Sequence, residues 1–291
     1  MKRKFKAGWY FLFTVPLLVV FTMVVLVPFG IGIFYSFFSW DGLPLNPKIF
    51  VGISNYTRLF SDARFLAVAG RTLLFTVFSV VVINLFGFLF ALMVTSSLKI
   101  RHTARTMLFA PYLVGGLILG YIWKFILGDA FRVIGEKTGL SSVFFNWLLD
   151  PQFALFGLTV VITWQMAGYI MIIYITGILS IPEELLEAAK MDGASSLKSL
   201  FFIKLPLLIP SITVSLFLSL SNCFKIFDVN LSLTAGGPYG STELFAMNIY
   251  RELFNQNNYG YGQAKAILFF LIVASITLAQ VMMIKKKEVV M

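Results

Sequence analysis

The sequence predicts an all-α, polytopic integral membrane protein with six transmembrane helices. Of its 291 residues, 59% are hydrophobic and only 12% are charged, whereas soluble domains carry about 25% charged residues. Six apolar stretches reach the roughly 20 residues that a helix needs to cross the hydrocarbon layer. Because these stretches are uniformly apolar, they differ from the alternating segments of a transmembrane barrel, and backbone hydrogen bonding in lipid then favours helices.

The six expected spans follow one another along the chain and are separated by more polar loops. They are Trp9–Phe38, Thr72–Ser97, Thr106–Leu127, Phe153–Leu179, Leu205–Lys225 and Ala266–Ile284. The N-terminus begins like a secretory signal, but the uncharged run from Ala7 to Trp40 is too long for one, so we expect an uncleaved first helix. The chain has neither a fixed-period repeat nor a linker, so residues 1–291 are expected to form a single domain.

Lysine and arginine residues are concentrated in one set of loops, and such loops face the cytoplasm. With a cytoplasmic N-terminus, the inside segments carry thirteen of the 23 basic residues. These are Lys2, Arg3, Lys4, Lys6, Lys99, Arg101, Arg105, Lys190, Lys198, Lys204 and Lys285–Lys287. Six spans then place both termini in the cytoplasm. The net charge of +10 is explained by membrane topology, so no nucleic-acid partner is expected.

Residues that could support catalysis are scarce. His102 and Cys223 are the only histidine and cysteine, so a zinc site of the usual kind cannot form within the chain. The stretch GDAFRVIGEKT departs from a phosphate-binding loop, because it has two extra residues between its glycines and Glu136 precedes Lys137. We therefore do not expect an enzyme, and any ATP would be bound by another chain.

A polar insert, residues 180–204, separates the fourth span from the fifth. Ser180 and Glu183 have the spacing of a capping box, which predicts the start of a helix. Gly193 predicts the end of that helix, because glycine readily adopts a left-handed conformation. A second helix is expected from Ser195 to Phe202. The insert is thus predicted to be a helix–turn–helix elbow on the cytoplasmic side, either a docking site or a surface helix without a partner.

The insert resembles the EAA signature of ABC-importer permeases. The matching residues, at the spacing of that signature, are Glu187, Ala188, Ala189, Gly193, Ile203, Leu205 and Pro206. The stretches FVGISNYTRLFSDARF (Phe50–Phe65) and FDVNLSLTAGGPYGSTELFAMNIY (Phe227–Tyr250) resemble loops of the carbohydrate branch, which contains the maltose transporter's permeases. Arg71 departs from the pattern, because that branch commonly has Asn there.

The resemblance implies a permease subunit of an ATP-driven sugar importer in a prokaryotic cell membrane. Glu187, Ala188, Ala189 and Gly193 would form the face that docks on an ATPase, with Ile203 and Leu205-Pro206 as its anchor. The implied partners are a second permease subunit in a heterodimer, a cytoplasmic ABC ATPase dimer, an extracytoplasmic solute-binding protein, membrane lipid and a carbohydrate. No cofactor is expected in this chain, since the partner ATPase would bind ATP and magnesium.

Polar residues in the spans are the candidates for a substrate pathway, because charges in a membrane are costly and usually functional. Asn222, Lys225 and Asp228 lie at the outer end of the fifth span, although Lys225 and Asp228 could equally be an interfacial ion pair. Gln165 and Tyr169, with Trp164, are further candidates in the fourth span. A stand-alone secondary transporter or channel is the alternative function, disfavoured by the absence of acidic residues deep in the predicted spans.

Overall fold

The computed structural model describes residues 2–96 and 100–285, which are almost entirely helical. The α-helices are α1 Lys2–Phe21, α2 Val27–Tyr35, α3 Ser54–Ser61, α4 Ala63–Thr95, α5 Arg101–Phe109, α6 Gly116–Phe125, α7 Phe131–Thr138, α8 Pro151–Leu179, α9 Glu183–Met191, α10 Ser196–Ser199, α11 Leu205–Leu207, α12 Ile209–Phe224, α13 Asp228–Leu233, α14 Phe245–Tyr250 and α15 Tyr259–Lys285. Four π-helical segments, Thr22–Leu26, Ile126–Ala130, Leu200–Lys204 and Arg251–Asn255, continue helices, and 3-10 turns form Ala110–Leu113 and Trp147–Leu149.

One small strand pair departs from the all-α prediction. Strands β1 (Phe38–Ser39) and β2 (Ile49–Phe50) pair antiparallel, with Phe38 opposite Phe50. Asn55 is buried behind them and donates hydrogen bonds to the carbonyl oxygens of Ser36 (2.8 Å) and Phe38 (3.0 Å). The fold is therefore nearly, but not entirely, α-helical.

Four to six helical segments of the described chain are long and apolar enough to cross a membrane. The four continuous ones are Phe11–Tyr35, Ala63–Thr95, Pro151–Leu179 and Tyr259–Ile284. The other two are bent pairs, Arg101–Leu113 with Gly116–Thr138 and Ser196–Leu207 with Ile209–Phe224. The apolar stretches of the sequence thus form helices as predicted, with several different boundaries. Four residues used for the predicted spans and orientation lie outside the described residues: Ser97, Lys99, Lys286 and Lys287. For residues 2–10 and Lys285 the structure describes the backbone but not the side chains.

Helix α4 begins nine residues earlier than the span predicted from Thr72 onward. Asp62 precedes the helix, and its Oδ1 accepts a hydrogen bond from the backbone N–H of Phe65 at 3.1 Å. A carboxylate in this position satisfies one of the free N–H groups of the first turn. The prediction was too short because it followed hydropathy and overlooked this cap.

The third predicted span, Thr106–Leu127, is bent by 100° rather than continuous. Val114 is extended (φ −80°, ψ 126°), and a new helix begins at Gly116. Pro111 lacks the N–H that would continue the hydrogen bonding of α5, and the adjacent glycines have low helix propensity. The chain then remains helical to Thr138, although residues 128–138 were predicted to be a loop.

The fifth predicted span, Leu205–Lys225, is also bent, by 70° at Leu208. Leu208 has φ −86° and ψ 0°, and a proline lies two residues away on each side, at Pro206 and Pro210. Each proline removes a backbone donor, so the straight helix cannot continue. The long apolar segment of this span is therefore α12.

The described chain forms two compact units. One runs to Leu66 and includes Ile249–Leu271, and the other comprises Ala67–Asn248 and the chain from Ile272 onward. In the second unit α8 is central, and about two-thirds of its apolar window is buried (67%). Gly168 permits close packing there, because a Cβ at this position would lie 1.9 Å from the carbonyl oxygen of Leu108. This unit contains the polar insert, residues 180–204, and all five residues predicted to line a substrate pathway.

Candidate functional site

The elbow helix α9 starts at Glu183 without the predicted capping box. Pro182 is its N-cap and forms no side-chain cap, whereas the hydroxyl of Ser180 donates to the carbonyl oxygen of Gly177 at 2.7 Å. Ser180 still has helical dihedral angles (φ −84°, ψ −10°), so it completes the C-terminus of α8. The capping-box prediction was therefore wrong, because the hydroxyl satisfies a carbonyl of the preceding helix. Glu183 and Glu184 still occupy the first turn, where the helix dipole favours negative charge.

Gly193 ends α9 in the predicted left-handed conformation, with φ +76°. The N–H of Gly193 donates to the carbonyl oxygen of Lys190 at 3.1 Å, and the N–H of Ala194 donates to that of Ala189 at 2.9 Å. This pair of bonds is the Schellman arrangement, which satisfies the last carbonyls of a helix. A Cβ at Gly193 would meet no atom within 4 Å, so the backbone angle alone requires glycine.

The second arm of the elbow is helical from Ser196 to Leu207, longer than the predicted Ser195 to Phe202. The Ser195 hydroxyl oxygen caps it by accepting the N–H of Lys198 at 3.4 Å. Ile203 lies in its π-helical segment, and Leu205 and Pro206 lie in α11, directly before the bend into α12.

The surface of α9 is acidic and small. Glu187 and Ala188 are exposed, whereas Ala189 is buried. Four exposed acidic residues against one lysine give residues 183–192 a net charge of −3. Helix α9 therefore presents an acidic surface on which the small side chain of Ala188 leaves room for close contact.

A polar cavity of about 280 Å³ brings together four of the five predicted pathway residues. Gln165 comes from α8, Asn222 from α12, Lys225 from the residue after α12, and Asp228 from the start of α13. The cavity is also lined by Tyr112, Gly116, Ile162, Met166, Ile226, Phe227 and Val229. Asn222, Lys225 and Asp228 are exposed in the protein, so their polar groups are accessible from the cavity.

Gln165 also stabilises the bend between α5 and α6. Its Nε2 donates a hydrogen bond to the carbonyl oxygen of Val114 at 3.0 Å. That carbonyl belongs to the extended residue at the bend, where the helical hydrogen bonding is interrupted. A broken helix at membrane depth is tolerated where its backbone lines a cavity or finds such partners.

The aromatic candidates of the fourth span have separate environments. Tyr169 does not line the polar cavity, but it stacks on Tyr112, which does, with ring centroids 4.3 Å apart and planes 7° apart. Trp164 instead lines a larger cavity of about 430 Å³, together with side chains such as Phe78, Phe86 and Phe156. Although that cavity is larger, it is almost wholly apolar. The polar one has the convergent hydrogen-bonding groups expected of a binding site.

A buried ion cluster in the other unit was missed by the sequence analysis. Lys265 is 1% exposed, and its Nζ lies 2.6 Å from Glu252 Oε2 and 3.9 Å from Asp62 Oδ2. The Tyr261 hydroxyl donates to Asp62 Oδ2 at 2.8 Å. Burial alone would raise the pKa of Asp62, but hydrogen bonds from Tyr261 and from the Phe65 N–H, with the charge of Lys265, lower it below 3.8. The only sign of this cluster in the sequence was a lysine next to an apolar run.

Arg71, the departure from the carbohydrate-branch pattern, has a structural contact. Its Nη1 donates to the carbonyl oxygen of Glu243 at 2.9 Å. The neighbouring Thr72 accepts the backbone N–H of Phe245 through its Oγ1 at 3.1 Å. Both residues therefore hold the segment that follows the Gly-Gly-Pro loop.

Within the residues that the structure describes, His, Cys, Asp and Glu side chains form no cluster of three suited to a metal ion.

Comparison with known proteins identifies close relatives over the full length. The chain is 45% identical to the probable starch degradation products transport system permease protein AmyD of Thermoanaerobacterium thermosulfurigenes, over 99% of this chain and 98% of that protein. It is 34% identical to the multiple sugar-binding transport system permease protein MsmF of Streptococcus mutans, over 97% and 96%. It is 33% identical to the trehalose/maltose transport system permease protein MalF of Thermococcus litoralis, over 95% and 92%.

Solved structures show the same fold at lower identity. A chain from the crystal structure of a bacterial ABC transporter that imports the acidic polysaccharide alginate superposes with a TM-score of 0.83 at 22% identity, over 98% of both chains. A chain from the alginate transporter in complex with its pentasaccharide-bound periplasmic protein gives 0.78 at 21% identity, over 96% of this chain and 94% of that one.

The sequence also matches a described protein family. Residues 72–289 match the family described as the binding-protein-dependent transport system inner membrane component. This range contains the elbow, the bend at Val114 and the polar cavity. The chain therefore belongs to the family of binding-protein-dependent transport system inner membrane components and is a permease of an ABC importer.

Proposed function

We propose that this chain forms half of the path through which an ATP-driven importer moves a sugar across a prokaryotic cell membrane. The observation that carries the proposal is the polar cavity formed by Gln165, Asn222, Lys225 and Asp228. Two of these residues, Gln165 and Asn222, lie on α8 and α12, the long helices on either side of the elbow. Movement of the elbow can therefore reach the cavity along these two helices.

In the proposed topology, residues 1–291 form one transmembrane domain that crosses the membrane six times. Each bent helix pair counts as one crossing, and both termini lie in the cytoplasm. The elbow, residues 180–204, then also lies in the cytoplasm. The basic residues Arg101, Arg105, Lys198 and Lys204 support this orientation, because they flank the crossings on that same side.

The elbow is proposed to dock on a cytoplasmic ATPase dimer that binds ATP and magnesium, so this chain needs no cofactor of its own. Glu187, Ala188 and Gly193 form the docking face, whereas Ala189, expected on that face, is buried within the chain. Ile203, Leu205 and Pro206 connect the docking face to α12. ATPase closure can do work on the permease only if its contact free energy differs between inward- and outward-facing states. The Gly193 cap keeps the orientation of the two elbow arms fixed, which such a contact requires.

The cavity suits a neutral, hydroxyl-rich solute. Its amides, lysine and aspartate supply both hydrogen-bond donors and acceptors, as a sugar needs. One lysine and one aspartate balance in charge, so the lining offers no net attraction to an ion. The names of the relatives, for starch degradation products, multiple sugars and trehalose or maltose, also support a carbohydrate.

Further partners follow from the proposed function. A second, non-identical permease subunit would complete the path, and an extracytoplasmic solute-binding protein would deliver the sugar. The complex between the alginate importer and its periplasmic protein supports the latter. Membrane lipid surrounds the apolar helices, and no nucleic acid takes part.

Purification of the tagged chain in mild detergent, followed by reconstitution into liposomes, tests this proposal. We expect an ATPase and a second permease to co-purify, and labelled malto-oligosaccharides to enter only with ATP and the binding protein. Uptake by the chain alone, without ATP, would instead support a stand-alone secondary transporter or channel. Asn222→Ala should reduce uptake while the subunits still co-purify, and Thr138→Ala, in an exposed helix end away from the cavity, is the control.

A further inference from the structure

A chain of four buried polar side chains connects three helices in the core of the larger unit. Asn84 comes from α4, Tyr174 from α8, and Ser215 and Ser219 from α12. All four are at most 9% exposed. Tyr174 belongs to a buried apolar core that includes Ile83, Ile170, Met171 and Ile175.

The hydrogen bonds of this polar chain run continuously from helix to helix. Ser215 Oγ donates to the Tyr174 hydroxyl at 2.9 Å, and that hydroxyl donates to Asn84 Oδ1 at 3.1 Å. Asn84 Nδ2 then donates to Ser219 Oγ at 2.9 Å, and Ser219 Oγ donates to the carbonyl oxygen of Ser215 at 2.7 Å. If one helix slid past the others, polar groups would be left unpaired in an apolar core, which is costly.

The polar chain lies between the elbow and the cavity. On α8, Tyr174 is about 13 Å from Gln165 of the cavity, given the rise of a helix, and about two turns from the start of the elbow. On α12, Ser219 precedes Asn222 of the cavity by about one turn. At the level between Tyr174 and the elbow, α8 and α12 approach closely, because a Cβ at Gly177 would lie 2.2 Å from Ser211 Oγ.

We propose that Asn84, Tyr174, Ser215 and Ser219 are positioning residues that make α4, α8 and α12 move together and so transmit elbow movement to the cavity. The inference rests on the proposed coupling role of the elbow. It adds that coupling depends on one set of hydrogen bonds in the core, formed by residues that touch neither the ATPase nor the sugar.

The test uses the complete transporter in liposomes, with its ATPase, second permease and binding protein. Tyr174→Phe removes one hydroxyl and keeps the ring. We expect the amount of sugar imported per ATP hydrolysed to fall by roughly 2- to 30-fold, the usual range for residues along a coupling path. Complex yield and basal ATP hydrolysis should stay unchanged. Thr176→Val is the matched control, because Thr176 is exposed on the same helix and bonds only to the Ile173 carbonyl.

An unchanged ratio of import to hydrolysis in Tyr174→Phe would overturn the inference. If that variant fails to assemble, Ser215→Ala, a smaller change, is measured in the same way with the same two outcomes. In the double variant Tyr174→Phe with Ser215→Ala, the amount of sugar imported per ATP should fall no further than in the more impaired single variant. Both substitutions break the same series of hydrogen bonds. Full additivity would contradict a shared network. If the unsubstituted transporter hydrolyses ATP without importing sugar, the proposed function fails instead.

Discussion

At the scale of single residues, the least expected feature is the buried lysine at the start of the last apolar stretch. Lys265 stands one residue before the predicted span Ala266–Ile284. Its burial depends on Glu252, 13 residues earlier, and on Asp62, which is distant in sequence. Hydropathy cannot detect such a partnership, because each of the three residues resembles an ordinary loop charge.

Replacement of Lys265 should strongly destabilise the protein. Lys265→Met leaves the buried Glu252 carboxylate without the cation that lies 2.6 Å away, and such losses cost about 3–5 kcal/mol. The change in stability is measured by thermal unfolding of this subunit within the purified transporter in detergent. Arg132→Met is the control, because its pair with Glu136 is exposed and should contribute about 0–1 kcal/mol.

A double variant separates charge from packing at this cluster. Lys265→Met combined with Glu252→Gln removes both charges of the close pair, so most of the stability should return. If the double variant is as unstable as Lys265→Met alone, the cost lies in packing and not in the unpaired carboxylate. Because the pKa of Asp62 is lowered in the folded protein, its contribution is present above its unfolded pKa and is lost as the pH falls through the folded value.

At the scale of elements, apolar length predicted where helices lie but not where they bend. The fourth span was predicted within two residues of α8, because Asp150 caps it and no proline interrupts its interior. The third and fifth spans contain Pro111 and Pro206, yet their hydropathy is continuous. Whether a proline kinks or ends a helix depends on tertiary partners, such as the Gln165 amide that bonds to Val114.

The helical break in the polar insert was predicted from the sequence, whereas its N-terminal cap and the end of its second helix were not. Gly193 has the expected left-handed conformation, and two helical arms flank it. Four of the five pathway residues meet in one cavity because α8 and α12 pack together, which sequence spacing alone could not reveal. The contact roles of the elbow and cavity residues stay predictions.

Gly193→Val should abolish sugar uptake while the permease still inserts into the membrane. A β-branched residue resists the left-handed conformation, so the two arms of the elbow would change their relative orientation. Gly139→Val is the matched control, because Gly139 also ends a helix, with φ +72° and open space around its Cα. Uptake in cells should persist in Gly139→Val and in Gly193→Asn, since asparagine tolerates this conformation. Equal loss in both valine variants would assign the effect to general instability.

At the scale of the whole molecule, the amount of exposed apolar surface fits a subunit of a membrane assembly. In Phe11–Tyr35 and Tyr259–Ile284, only 6% of each apolar window is buried within the chain. In a membrane these faces contact lipid or a neighbouring subunit. Such a surface fits a membrane-embedded permease, and the proposed function adds a second permease that would complete the polar cavity.

The central claim is that the elbow faces the cytoplasm and is moved by a separate ATPase. Site-specific photo-crosslinking in intact cells tests it most directly, with a benzophenone amino acid in place of Asp192, an exposed residue at the end of α9. The same amino acid in place of Tyr239, 98% exposed in the Gly-Gly-Pro loop, is the control for the opposite side. We predict that Asp192 crosslinks to an ATP-hydrolysing protein and that Tyr239 does not. An adduct from Asp192 with an extracytoplasmic protein, or crosslinking of the ATPase from Tyr239, would contradict the account.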